Sequence, residues 1–418
     1  MRALHRFAGT VLCLLVLIAG LPRAMAGDEI LALTGATIYT SPEAAPIQDG
    51  VVLMQAGRIT AVGSKVTVPP GAKTIDCTGL FAAAGFQNSH VHFTEPKWVE
   101  AAAQPPEALA QQLREMLTRY GFTTVVDTGS FLPNTLALRR RVEAGEVPGP
   151  RILTAGASIY PQDGIPFYVK DSLPAAILPF LDQPATPEDA AAAVQRNIAA
   201  GASVVKLFTG SLSSPRTVVP MREDIARAAV AEAHRRSTLV FTHPSNAEGI
   251  RVALASGVDV LAHTSPQGGP WDDALVAAMK ERRMSLIPTL KLWAYEVTRF
   301  GGTAERAEQL TAGGIQQLRV FSRAGGQVLF GTDVGYMREY DPTDEYVRMA
   351  QAGMSPMQIL ASLTTAPAAR FGEEARRGRI AAGMDADLAV LEADPARDAR
   401  NFARVRYTIR AGRVIFSP

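Results

Sequence analysis

The chain has 418 residues, 47% of them hydrophobic and 20% charged, with a formal net charge of +2. This balance excludes a disordered chain and provides apolar material for one large domain with an appendage. It also lacks the basic excess of a nucleic-acid binder and the polybasic patch of a membrane-surface protein.

Residues 1–26 read as a secretory signal peptide. Arg2 and Arg6 open the segment, Val11 to Gly20 is apolar but short for a bilayer span, and Ala24-Met25-Ala26 offers a small-residue cleavage site. The competing reading is an uncleaved membrane anchor. Cleavage removes Arg2, Arg6 and Arg23 and no acid, which takes the formal charge from +2 to −1. It also removes His5 and Cys13, so Cys77 has no intrachain disulfide partner and five histidines remain. The expectation is an exported protein, periplasmic or secreted, with no nucleic-acid partner and no membrane association after cleavage.

Residues 27–80 carry short β-like runs at Ile30–Leu33, Ala36–Tyr39, Val51–Met54 and Arg58–Val62, separated by Gly, Pro and Asp turn signals. Residues 374–418 have the same character, at Asp387–Leu391, Arg404–Ile409 and Arg413–Phe416. Neither stretch has enough apolar surface to fold alone, so the two ends are expected to pair as one small discontinuous β-sandwich domain.

Between them, over residues 81–373, strand-like and helix-like segments alternate. The strands are expected at Phe81–His92, Phe122–Thr128, Arg151–Tyr160, Ser203–Phe208, Thr238–Thr242, Val258–Ala262, Ser285–Leu290 and Gln327–Gly331. Pro187–Ala200, Arg222–Arg235, Asp272–Arg283 and Ala304–Ala324 have helical periodicity. Eight such units match an α/β fold of the (β/α)8 TIM-barrel type, whose chemistry gathers at the C-terminal ends of the strands. A doubly wound open sheet is the alternative, but the glycine-rich fingerprint expected of it is missing.

Four of the five remaining histidines fall at expected strand ends: His90 and His92 on the first, His243 on the fifth and His263 on the sixth. In a strand, residues i and i+2 share a face, so His90 and His92 can grip one cation. Asp333 ends the eighth strand. Taken singly, Asp333 could be a helix cap, and His243 or His263 a hydrogen-bonded core residue. Together they form a nitrogen and oxygen ligand set suited to Zn²⁺ or a similar divalent ion. Lys206 ends the fourth strand, where burial beside a cation favours a neutral amine. Such an amine can take up CO₂ to become an anionic bridging carbamate; the alternatives are a lysine reaching solvent at the rim or one binding a substrate carboxylate. His234, among arginines on a solvated helix face, is left out. Asp127 is read as a cap or supporting acceptor, and Glu95 is not assigned a ligand role. Tyr160, Tyr168 and Arg338 are candidate substrate contacts, with Thr209, Ser211, Ser265, Gln267 and Tyr336 as further lining residues. The loop from Tyr160 to Pro179 is long enough to serve as a lid.

Across nearly the whole mature chain, the sequence resembles the amidohydrolase superfamily, in particular its imidazolonepropionase-like and prolidase-like branch. The residues that carry the likeness are Gly85-Phe-Gln-Asn-Ser-His-Val-His92, Lys206 in Val-Val-Lys-Leu-Phe, His243, Gly257-Val-Asp-Val-Leu-Ala-His-Thr264, Gly331-Thr-Asp333 and the tail Gly378 to Leu391. The resemblance implies one ion on His90, His92 and Asp333 and a second on His243 and His263. Carboxylated Lys206 would bridge the pair, two Zn²⁺ being the expected cofactor. It further implies a bridging hydroxide as nucleophile and Asp333 as the proton carrier. The chain departs from the family pattern at Asn88, where the family usually has Asp, and at Ala84, where it usually has Pro.

The expected function is therefore hydrolysis of amide-like C–N bonds in N-acyl amino acids, dipeptides or amino-acid conjugates. Two alternatives stay open: a cyclic amidase, lactonase or aminohydrolase on the same barrel, and a noncatalytic exported metal- or ligand-binding protein. The partner is a small-molecule substrate, and a homo-oligomer is left open.

Overall fold

The computed structural model describes residues 29–173, Leu178 and 181–418. The expected signal peptide lies outside the described residues, as does much of the far end of the loop running from Tyr160.

The chain opens with β1 (Leu31–Tyr39), β2 (Ile47–Gln55), β3 (Arg58–Gly63), β4 (Lys73–Asp76) and β5 (Phe81–Ala84). β1 pairs antiparallel with β2, and on its other edge it runs parallel to β4 and then to β5. The strand expected over Phe81 to His92 is in fact two strands in two different sheets. The break is at Gly85, whose N–H is taken by the Asp387 carbonyl. A Cβ at Gly85 would collide with the side chain of Thr123. Only glycine lets the chain pass so close to its neighbour while leaving one sheet for the next.

From there β6 (Phe86–Val91), β7 (Phe122–Asp127) and β8 (Arg151–Thr154) form a parallel sheet. β9 (Val205–Phe208) follows, then a short hairpin, β10 (Gly210–Ser214) and β11 (Thr217–Pro220). β12 (Val240–His243), β13 (Val260–Ala262) and β14 (Ser285–Ile287) line up parallel to β9 in the order β14-β13-β12-β9. The two sheets join where Ser203 donates to the Thr154 carbonyl and Ile159 donates to that of Lys206. At the other seam, residues 327–334 act as the eighth strand. Leu329 donates to Leu286, Ser89 to Phe330 and His92 to Val334, closing the ring.

The helices Pro187–Ala199, Glu223–Arg235, Asp273–Glu281 and Ala304–Arg323 fall where the periodicity places them. Thr186, Asp272 and Thr303 start three of them by accepting backbone N–H groups from the first turn.

The return strands β15 (Leu388–Leu391), β16 (Val405–Arg410) and β17 (Arg413–Phe416) complete the terminal sheet, because β15 pairs antiparallel with β5. The order is β17-β16-β15-β5-β1-β2-β3, with β4 beside β1. Strands from both ends share one apolar cluster, including Leu33, Ile38, Val52 and Ile59 with Leu388, Val390 and Ile409.

In the barrel, alternate residues serve two cores. Val125, Val205, Val240, Leu261 and Leu286 pack outward with the helices, whereas Val126, Val204, Phe241, Val260, Ile287 and Leu329 form a separate cluster. This second set fills the barrel interior, as the period-two alternation of side chains requires.

Candidate active site

The site is the next layer above that plug. Two residues beyond Val204 is Lys206, and two beyond Phe241 is His243, so plain strand alternation turns both side chains inward. His90 and His92 obey the same rule on β6 and just after it. His263 and Asp333 do not, since each lies an odd or longer step from its interior neighbour. Both adopt left-handed backbone, at φ 74° and 59°. Non-glycine residues seldom take this conformation, and here it redirects two strand ends toward the axis. Gly335 completes the turn after Asp333 at φ 96°, against the carbonyl of His92, where a Cβ would not fit.

These side chains meet. His90 Nε2 lies 3.3 Å from His92 Nε2, and the two lie 3.3 and 3.0 Å from Oδ1 of Asp333. His263 Nε2 is 4.0 Å from Asp333 Oδ2, and its ring is centred 4.6 Å from that of His90 and 4.7 Å from that of His243. Lys206, 2% exposed, is close enough that its charge bears on His90, His243 and His263. Among the described residues its amine makes no hydrogen bond or ion pair; the centre of the Phe208 ring lies 5.5 Å away.

The donor set fits a divalent cation. The Asp333 carboxylate is near the imidazoles of His90 and His92, yet its Oδ1 is buried and enters no well-formed hydrogen bond among the described residues. The donor atoms of His90, His263 and Asp333 all lie within 4.8 Å of one another. Lone pairs aimed at a common point rather than at each other are what a metal ligand set requires.

Electrostatics prepare the same state. Burial holds His90 down to about 4 and His243 to about 3, and drives His263 well below the usual range, so these imidazoles are neutral at pH 7. Burial likewise brings Lys206 down to about 8, against the pull of Asp333. Burial alone would favour a protonated Asp333, but the imidazoles of His90, His92 and His263 around it hold its carboxyl well below the carboxylate range. His92 differs from the other histidines: burial opposes its charge, but Asp333, Asp127 and the Gly129 carbonyl raise its pKa.

Neighbouring groups orient the rings. His92 Nδ1 lies 2.7 Å from the Gly129 carbonyl, which can only accept, so in the neutral ring the proton is on Nδ1 and Nε2 keeps its lone pair for the centre. His263 Nδ1 pairs with Thr289 Oγ1 at 2.5 Å. Asn88, where a carboxylate is usual, donates from Nδ2 to Thr332 Oγ1 at 2.7 Å and accepts at Oδ1 from the N–H groups of His90 and Thr332. The amide thereby ties the His90 strand to the Asp333 turn with a donor that an ionised carboxylate lacks.

Asp127 is an acceptor for Gly129, Ser130, Thr135 and Thr154. Glu95 is taken by Tyr340 and Lys97, and His234 faces Asp259 on the exposed side of its helix. Tyr160 packs on Phe208, which stacks on His243 at 5.0 Å and 14°; Tyr168 faces Tyr336 at 5.5 Å. Both tyrosines therefore join the wall of the mouth. Arg338 lies five residues beyond Asp333 with its side chain exposed, and it forms no ion pair among the described residues. Thr209 and Ser211 are buried and bonded inward to Thr242 and to the Gly164 carbonyl, and Gln267 is exposed. Sequence reasoning missed Thr289 and Glu296, which lie on no motif.

The barrel and its ring of ligand-type side chains define an enzyme of the metal-dependent barrel hydrolase class. The chain belongs to the amidohydrolase family, whose model matches residues 81–415. It is 24% identical over 246 residues to an ochratoxinase of Aspergillus niger, a match covering 55% of this chain and 50% of that protein. With a dihydroorotase of Streptococcus pneumoniae it shares 43% identity over 75 residues, 18% of this chain and 16% of the relative. Among solved structures, a protein of Bifidobacterium longum assigned as a prolidase superposes with TM-score 0.78 at 27% identity, covering 94% and 96% of the two chains. A prolidase bound to N-methylphosphonate-L-proline superposes with TM-score 0.76 at 26% identity, covering 93% of this chain and all of the other, 100%.

Proposed function

We propose that the protein is an exported hydrolase of amide-like C–N bonds in N-acyl amino acids, dipeptides or amino-acid conjugates. The observation that carries this reading is the convergence of His90, His92, His243, His263, Asp333 and buried Lys206 at one barrel mouth. The names of the relatives, prolidase and ochratoxinase, point to the same bond type, and the composition of residues 1–26 supports export.

His90, His92 and Asp333 would hold one divalent ion and His243 and His263 a second, Zn²⁺ suiting this ligand set. Such ions, when bound, make water a nucleophile at neutral pH and polarise a carbonyl. Lys206 would join them as a carbamate: its neutral amine forms an N–C bond to CO₂ and releases one proton, leaving an anion where an ammonium would be repelled. Asp333, ionised in the resting site, accepts the proton of the attacking water and delivers it to the departing nitrogen. Tyr160, Phe208 and Tyr168 line the approach with aromatic rings.

The test is metal analysis of the purified mature protein, followed by assay of the metal-loaded form on N-acyl amino acids, dipeptides and lactones. Two ions per chain and turnover confined to amides are expected. Turnover of lactones alone would transfer the assignment to the ester bond, and metal binding without turnover on the whole panel would reduce it to a binding protein.

A further inference from the structure

The mouth also carries an acid that this chemistry leaves unused. Glu296 stands on the helix Lys291–Arg299, where its Oε1 accepts the Tyr336 hydroxyl at 3.0 Å and its Oε2 has no hydrogen-bond partner among the described residues. The surroundings are aromatic: the ring of Tyr336 lies 5.5 Å from that of Tyr168 and 6.1 Å from that of Tyr295. No lysine or arginine forms an ion pair with Glu296 among the described residues. Arg299 instead lays its guanidinium over Tyr336, 4.9 Å from the ring centre.

Glu296 is half-buried; a carboxylate drawn partly out of water without a positive partner is disfavoured, and burial pushes its carboxyl up to about 7. The helix cannot swing away to relieve that cost. Glu345 accepts the N–H groups of Leu290 and Lys291 at 2.9 Å each, and Lys291 Nζ donates to the carbonyls of Glu339 and Asp341. The helix is thus held in place, with Glu296 on Tyr336 at the mouth and near enough for the charge of Asp333 to bear on it.

We propose that Glu296, braced by Tyr336 and walled by Tyr168, is the specificity residue that receives a positively charged nitrogen of the substrate. The enzyme then selects amides carrying a free amine over their N-acylated counterparts. An ammonium group would supply the missing charge and form charge-assisted hydrogen bonds to Oε2, and tyrosine faces attract cations. A substrate carboxylate entering there would be repelled by Glu296 and Asp333 together. This assignment rests on the hydrolase reading above, and it narrows the three substrate types to those with an unblocked amine.

The test compares kcat/KM of the metal-loaded protein for a dipeptide and for its N-acetyl derivative. The parent should prefer the free amine, and Glu296→Gln should lower that preference about ten- to a hundredfold, mainly through KM and with metal content unchanged. An equal preference in parent and variant, or a parent that favours the acetylated form, would overturn the assignment. Calorimetry with phenylalaninamide and N-acetylphenylalaninamide separates the subsite from the reaction. Tighter binding of the amine that disappears in Glu296→Gln supports the subsite even if no amide is hydrolysed. Equal binding of both compounds by the parent removes the subsite and leaves the hydrolase reading standing.

Discussion

Thr289 Oγ1 lies 2.5 Å from Nδ1 of His263, and both residues hold left-handed backbone, at φ 43° and 74°. Two adjacent strand ends thus leave regular geometry together, and the hydroxyl sets the angle at which the imidazole meets the centre. Thr289→Val keeps the β-branched shape, and so the same backbone demands, while deleting the hydroxyl. Affinity for a divalent ion should fall about ten- to a hundredfold, as measured by chelator competition, and Thr289→Ser should retain it. Equal affinities in the two variants would show that the hydroxyl does not orient His263.

Asp333→Asn should lower kcat by about 10²–10⁴, because the amide neither accepts the proton of water nor returns it to the leaving nitrogen. Asparagine tolerates the φ of 59° at this position, so the barrel should keep its thermal unfolding transition. A variant turning over at nearly the parental rate would remove Asp333 from proton transfer.

Lys206 is buried among potential ligands and makes no hydrogen bond or ion pair among the described residues. Lys206→Ala should lose activity and metal together, and acetate or propionate should restore part of both by placing a carboxylate in the vacated space. Full metal content in Lys206→Ala, without added carboxylate, would show that no bridging anion is needed.

Glu345 makes a pH-dependent contribution to stability. Burial raises its carboxyl from the ordinary 4.5 to about 7, although the N–H groups of Lys291 and Leu290 pull the other way. Between those values the folded chain binds more protons than the unfolded one, so this group's contribution is full below about 4.5 and declines as pH rises toward about 7. Denaturant titrations across that window should show the decline, and Glu345→Gln should flatten it. A variant whose profile parallels the parent would place the effect elsewhere.

Much of the site was legible because β-strands have a period of two and barrel chemistry collects at strand ends. His90 and His92, Lys206 and His243 follow that alternation, and their residue types signal chemistry without any coordinates. Arg338 shows where such reading stops: a charged residue five positions beyond Asp333 is a plausible substrate contact, yet the turn carries it into solvent. Glu296 shows the reverse, since an acid on a short amphipathic helix reads as solvated until Tyr336 from beyond the eighth strand bonds it and Tyr168 packs on Tyr336. The run from Phe81 to His92 reads as one strand for a similar reason, because hydrophobic pattern records burial and not which sheet does the burying.

By itself the amino-acid order determined the alternation of strands and helices, the residue types of the ligand set, and the pairing of two segments each too apolar-poor to stand alone. Tertiary structure decided which side chains share the mouth, the left-handed turns that bring His263 and Asp333 inward, and the neighbours that shift the pKa values of Glu296 and Lys206. The physical reason is one of range. Local pattern encodes which face of an element is apolar, whereas burial, charge proximity and hydrogen-bond partners are sums over residues hundreds of positions apart, and those sums exist only once the barrel has closed.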